Sequence, residues 1–392
     1  MNPPAQRVLH LNSLLNGGGT DDQCVQLAAG LHRLGLRVIL AGPGGRDFSA
    51  VIQAAGVPFF DTGDEASKLK FIVRAARLIR REGIQIVHSH HGRDYWPAIL
   101  AAKMSGAKPA IVLTRHLAKS PASPASRHFL LGQCDGLIAV SKFVARVLRE
   151  GVYEPDSPEA ERRRRPPLRG DHGKIHVIYG GIDTGRFRPF DAAETRGGLG
   201  LGPDDFGFAV AGGYDWPRGK GQREFLMAAA RVHERIPRAR FLIIGRGTMG
   251  DKLRADIARL GLGGKAWLTP YAGNMAAVMN ALDCLVHPQI GTEALGLVVC
   301  EAHACGKPVI ASALDGIPEG FRAGNYGRLV TPENIGELAE AMEAQAVRPG
   351  LDAAEAAALH ERVAGVFSLE RSARAVSRLY CELLSGAPRS GS

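Results

Sequence analysis

The sequence predicts an α/β protein made of two doubly wound, parallel-sheet domains. Three observations predict it: short apolar runs alternate with helix-period segments, the alternation restarts near the middle, and 392 residues exceed what one core holds. In the first cycle the strand-like runs are Val8–Leu11, Val38–Ala41, Ile84–His88, Ile111–Thr114, Gly136–Val140 and Ile175–Tyr179. Helical periodicity fills the intervals, as at Thr20–Leu34 and Leu69–Arg81. The second cycle runs through Gly207–Ala211, Arg240–Ile244, Lys265–Leu268, Cys284–His287 and Pro308–Ala311. Gly181–Asp191 lies at the border, which divides the chain into an N-terminal domain 1–187 and a C-terminal domain 188–367. A single helix over 368–385 and a frayed tail follow.

Composition narrows the function classes. The apolar share of 45% and charged share of 22% are those of a globular protein, and no stretch approaches the roughly 18 apolar residues of a membrane span. Residues 1–15 lack the basic-then-apolar order of a signal peptide. Six cysteines without CxxC spacing argue against a zinc or disulfide framework, so a cytoplasmic setting is expected. The net charge of +10 is uneven: residues 1–190 carry +11 and the remainder −1. An anionic membrane surface or a phosphorylated acceptor suits such a basic half. Nucleic acid is not expected as a partner, because aromatics are only 6% and do not interleave with basic residues. The Pro/Ser segment Lys119–Arg127 reads as a loop. The run Arg162–Arg165, inside the insertion Glu150–Gly173, reads as a solvated basic loop.

Ligands of open α/β sheets bind beyond the carboxyl ends of strands, which selects a few segments. After the first strand, Asn16-Gly17-Gly18-Gly19-Thr20 meets a helix N-terminus, a place where backbone approaches an anion, or simply a tight turn. It is not GxGxxG, and no acid clearly ends the second strand, which disfavours a nicotinamide-dependent dehydrogenase. His88, His90 and His91 end another strand; they read as polar lining of a cleft rather than metal ligands, since partner ligands at usable spacing are missing. Arg115 and His116 end the next, and His116 is either a donor to a sugar hydroxyl or phosphate or a supporting histidine.

In the second cycle, Gly212–Gly221 carries Arg218 and Lys220 before a helix. Two cations beside a helix N-terminus make a diphosphate clamp, or a solvated basic turn. Gly245-Arg246-Gly247 offers backbone to a base. The fullest constellation is Thr292–Ser312: Glu293 in a loop, a helix start near Gly296, and Glu301 eight residues after Glu293. Eight helical residues span at most about 12 Å, so the two carboxylates could address two parts of one elongated ligand around the amides of Ala294–Leu297.

Glu293-x7-Glu301 followed by Ala302, Gly306, Pro308 and Val309 resembles the family 4 retaining glycosyltransferases of the GT-B fold. Supporting matches run along the chain: Gly18-Gly19-Thr20, Gly181-Ile182-Asp183 with Phe187 and Pro189, Lys220-Gly221, Gly245-x-Gly247, Gly316-x-Pro318-Glu319 and Gly327-x-Leu329-Val330. The resemblance implies two Rossmann-like domains facing across a cleft, with the last helix crossing back onto the first. It implies a nucleotide-diphosphate sugar donor held mainly by the second domain, and a glycan or glycolipid acceptor. Glu301 would hold the ribose and Glu293 a hydroxyl of the transferred sugar. Gly296, Leu297, Arg218 and Lys220 would hold the diphosphate. His116 would face the sugar, Gly18 and Gly19 would line the cleft, and Gly247 would contact the donor. No metal or other cofactor is implied. Retention would follow from front-face attack through an oxocarbenium-like state. Lipopolysaccharide or another bacterial envelope polysaccharide is the implied product class. Tyr214 and Asp215 stand where the family carries an arginine, and Arg218 would replace it from a different point in the turn.

The basic amphipathic stretch Lys68–Arg81 has Leu69, Ile72, Val73, Ala76 and Ile79 on one side, a face for anionic lipid in peripheral membrane association or for packing on the sheet. Rival classes are an epimerase or phosphorylase of the same architecture, and a non-catalytic nucleotide-sugar-binding protein.

Overall fold

The computed structural model describes residues 6–15, 18–43, 49–63, 67–151, 166–270, 273–348 and 350–386. Asn16, Gly17, most of the insertion with Arg162–Arg165, and the last six residues lie outside the described residues. The chain divides into two compact units, one of residues 1–181 with 369–392, the other Ile182–Ser368.

Among the described residues the first unit holds seven strands: β1 (Arg7–Leu11), β2 (Arg37–Gly42), β3 (Phe59–Asp61), β4 (Ile86–Ser89), β5 (Ala110–Arg115), β6 (Gly136–Ala139) and β7 (Ile175–Val177). They pair in parallel in the order β3-β2-β1-β4-β5-β6-β7. The central strands are buried along their length, which is why they read as continuous apolar runs. Tyr380, Val376 and Ala373 of the helix Leu369–Ser385 complete its core beside Val8, Leu31 and Leu40. The second unit holds β8 (Phe206–Ala211), β9 (Ala239–Ile244), β10 (Ala266–Thr269), β11 (Cys284–His287), β12 (Val309–Ser312) and β13 (Gly327–Val330), parallel in the order β10-β9-β8-β11-β12-β13. Its core gathers Phe208, Phe225 and Phe241 with Val286, Ile310 and Met342.

Both sheets are Rossmann-like, and each reverses its winding once: between β1 and β4, and between β8 and β11. Those two switch points are where loops diverge and leave a crevice at the carboxyl edge.

One expectation is corrected and one open alternative is narrowed. Lys119–Arg127 is not all loop: Ser123 accepts a hydrogen bond from the Ser126 amide and starts the helix Pro124–Gln133, with proline in the first turn where its missing N–H costs nothing. The helix Lys68–Glu82 buries Ile72, Ala76 and Ile79 inside the protein, as packing on the sheet requires, so most of its apolar stripe is not available to lipid; what remains outward is basic apart from the exposed Leu69. Among the described residues no helix is long and apolar enough to cross a membrane.

Candidate functional site

In the second unit the switch point lies between the loops that follow β8 and β11. The first loop is set by glycine. Gly221 has φ +84°, and a Cβ there would stand 1.9 Å from the Pro288 carbonyl oxygen, so only glycine lets the two loops meet. That contact brings Lys220 to Glu293, and their side chains form an ion pair of 2.6 Å. The main chain of Glu293 is pinned on both sides: its amide donates to Asp315 at 3.1 Å, and its carbonyl accepts from the Gly316 amide at 3.1 Å. Gly316 in turn has no room for a side chain, since a Cβ would lie 1.9 Å from the Ala294 carbonyl.

Burial pushes the Glu293 carboxyl up, but the charge of Lys220, the neighbouring His287 and hydrogen bonds from Lys220 and the Ala294 amide outweigh it and hold it below the usual carboxylate range. His287, the last residue of β11, is 1% exposed, and among the described residues neither ring nitrogen has a partner. Burial drives it down to about 4, Glu293 opposing and Lys220 assisting, so it is neutral near pH 7. Gln289, also buried, leaves its Oε1 unpartnered two residues on. Unsatisfied polar atoms gathered at a switch point are groups in waiting for a ligand. Sequence reasoning passed over His287; its place at the carboxyl end of a buried strand was the available signal.

Gly296 adopts the left-handed conformation, φ 75° and ψ 57°, and caps the helix Leu297–Ala304, whose first amides have no helical acceptor. Leu297 and Glu301 are partly buried on that helix. The structure thus brings together Lys220, Glu293, Gly296 and Leu297. Arg218 is partly buried in the same turn, and its charge acts on Glu224. Gly247 is a packing glycine: a Cβ would lie 2.5 Å from the Tyr214 backbone, which holds the loops after β8 and β9 together.

In the first unit the switch point lies between β1 and β4. Gly18, exposed, with φ 138°, precedes the helix Gly19–Arg33. Asp21 on that helix accepts from Asn12 at 2.9 Å and pairs with His91 at 2.8 Å. His10 and His88 are register partners across β1 and β4, with ring centroids 4.9 Å apart. His88 and His90 are buried at the carboxyl end of the central strand β4 rather than lining a cleft, which corrects their expected role. His90 reaches His116, Nδ1 to Nε2, at 3.3 Å, and His116 is partly exposed. Burial holds His116 down to about 3.

The sequence matches two family models: "Glycosyltransferase Family 4" over residues 17–156 and "Glycosyl transferases group 1" over residues 206–346. A curated relative, the D-inositol 3-phosphate glycosyltransferase of Actinosynnema mirum, is 36% identical over 193 residues, covering 46% of this chain and 45% of the relative. The chain thus spans about half the length of that relative. Among solved structures, a glycosyltransferase from Rickettsia africae superposes with a TM-score of 0.80 at 20% identity, covering 98% of this chain and 100% of that one. Anabaena Alr3699/HepE in complex with UDP and glucose gives 0.75 at 18%, covering 97% and 100%. With both halves matched in order and nearly the whole chain superposing on these neighbours, the chain belongs to the family 4 glycosyltransferases of the GT-B fold.

Proposed function

We propose that this glycosyltransferase moves a sugar from a nucleotide-diphosphate donor to a hydroxyl of a phosphorylated or glycolipid acceptor, with retention of anomeric configuration and without a metal. The observation that carries the reading is the 2.6 Å Lys220–Glu293 pair at the switch point beside the Gly296-capped helix. Departure of a nucleoside diphosphate builds negative charge on the leaving oxygens. An ammonium and free helix amides aimed at that charge stabilise it, the work a metal does elsewhere. Glu293, held ionised, accepts hydrogen bonds from sugar hydroxyls. Glu301 is assigned to the ribose by the resemblance, and Arg218 to the diphosphate. Gly247 has the weaker case as a donor contact, given its packing duty.

The donor class is supported by the UDP and glucose bound in the Anabaena neighbour. The acceptor class is supported by the relative's printed name and by the +11 charge of residues 1–190, which favours an anionic partner. A glycolipid of the bacterial envelope, such as a lipopolysaccharide precursor, is the second reading. The outward basic face of Lys68–Glu82 favours it, through charge attraction to an anionic leaflet rather than insertion.

Lys220→Ala and Glu293→Ala are each expected to lower kcat/KM by about 100-fold or more, while the protein stays folded with a melting temperature lowered by only about 2–8 °C. Turnover is followed as nucleotide release from a panel of nucleotide sugars that includes UDP-glucose. The anomer of the product is read by NMR. Full activity in both variants would remove the reading, and inversion would remove its stereochemical part.

A further inference from the structure

Six side chains of the first unit form one continuous file of hydrogen bonds. Thr114 Oγ1 lies 2.6 Å from His88 Nε2, and His88 Nδ1 lies 2.6 Å from the Tyr380 hydroxyl. That hydroxyl lies 3.4 Å from His10 Nε2, His10 Nδ1 lies 2.9 Å from His90 Nε2, and His90 Nδ1 lies 3.3 Å from His116 Nε2. Among the described residues, Nδ1 of His116 has no partner. Burial holds all four imidazoles well below the usual histidine range, so near pH 7 each is neutral.

A neutral imidazole has one N–H and one lone pair, on opposite nitrogens. In such a file every bond must therefore point the same way, and choosing one direction chooses all. Tyr380 makes the choice. Its hydroxyl has a single proton and two imidazole neighbours at unequal distance. A phenol is a good donor and a poor acceptor, so the 2.6 Å contact is Tyr380 donating to His88, and the 3.4 Å contact is His10 donating to the phenol oxygen. The rest follows. His88 carries its proton on Nε2 and donates to Thr114. His10 carries its proton on Nε2, which leaves Nδ1 to accept from His90 Nε2–H. His90 Nδ1 then accepts from His116 Nε2–H.

We propose that Tyr380, His10 and His90 are positioning residues that hold His116 as its Nε2–H tautomer, so that its outward Nδ1 accepts a hydrogen bond from a substrate hydroxyl and cannot donate one to a phosphate or carboxylate. The proposal rests on the reading that His116 meets substrate, and it specifies what His116 recognises: an O–H group. The helix Leu369–Ser385, more than 250 residues away in sequence, thereby sets the hydrogen-bonding sense of a residue at the end of β5. His10, Cys24 and His90 also present ligand atoms within 4.8 Å of one another, all buried. A metal on either ring nitrogen of His10 would break the file, since one nitrogen accepts in it and the other donates, so the two arrangements exclude each other.

The test is long-range 1H–15N correlation on the full chain with 15N-labelled histidine, His116 being assigned from its loss in His116→Asn. The wild type is expected to show His116 in the Nε2–H form. Tyr380→Phe removes the only acceptor that His10 Nε2–H has among the described residues. The file should then reverse, with His116 moving to the Nδ1–H form together with His10 and His90. His90→Phe cuts the last link and should leave His116 as a mixture, which keeps the test alive if Tyr380→Phe does not fold. An Nδ1–H form of His116 in the wild type would overturn the proposal, as would an unchanged spectrum of His116 in both variants. One equivalent of tightly bound metal by elemental analysis, lost in Cys24→Ser, would overturn it too. The tautomer is read without substrate, so inactivity toward every nucleotide sugar would sink the transferase reading and leave this result standing.

Discussion

At Glu293 burial and charge pull in opposite directions, and the sign of the result fixes how the site responds to acid. The carboxyl is depressed in the folded chain relative to its unfolded value of about 4.3, so its contribution to stability is present above that pH and lost as pH falls through the folded value. The charged hydrogen bond with Lys220 is worth about 1–2 kcal/mol once the 34% exposure of the lysine side chain is allowed for. Glu293→Gln is therefore expected to destabilise the protein by about that amount near neutral pH, and the gap to close as pH falls through the depressed folded value of Glu293. Urea titrations at several pH values measure it; a gap that stayed constant on acidification would show that the carboxylate does not carry the interaction. At this scale the sequence was partly legible. Glu293 and Lys220 stood out because glycine-bounded turns at strand ends expose their neighbours, but their pairing across 73 positions is a product of tertiary contact that no local spacing encodes. His287 escaped notice because an apolar strand hides a single polar residue at its last position.

At the scale of elements, the loops after β8 and β11 hold each other in place through Gly221 and Pro288. An alanine at 221 meets a carbonyl oxygen at 1.9 Å with φ at +84°, so either the loops separate or the backbone changes conformation. Gly221→Ala is expected to cost about 3 kcal/mol or more and to remove turnover by displacing Lys220. Gly213→Ala, in the same loop but with its nearest neighbour 3.8 Å away, should leave both nearly unchanged. Denaturant melts beside steady-state rates compare the two; equal effects would mean that the loop tolerates the contact. The central strands were legible because burial on both faces demands unbroken apolar runs, as in Phe206–Ala211. The edge strands β3 and β13 were not. Three residues ending in Asp61, and four beginning Gly327-Arg328, carry no such run: an edge strand has less to bury, and these two are also too short or too polar to show one, unlike the edge strands β7 and β10.

For the molecule as a whole, the two units differ in how the chain builds them. The second is one uninterrupted stretch, Ile182–Ser368, with all six strands and the Phe208–Phe225–Phe241 core inside it. The first is built from both ends: Ala373, Val376, Leu379 and Tyr380 enter the same core as Val8, Val25 and Leu40. The three larger of these side chains, Val376, Leu379 and Tyr380, are worth about 1.5–3 kcal/mol each, which together is comparable with the whole stability of a domain this size. A fragment 182–368 is therefore expected to fold alone with a cooperative urea transition. A fragment 1–181 should fold only when a peptide spanning 369–386 is supplied, because without it the sheet face around His10 and His88 is open to water. Circular dichroism and urea melts of the two fragments, with and without the peptide, decide it. A folded 1–181 that ignores the peptide would show that the last helix is an addition to a finished core rather than a part of it.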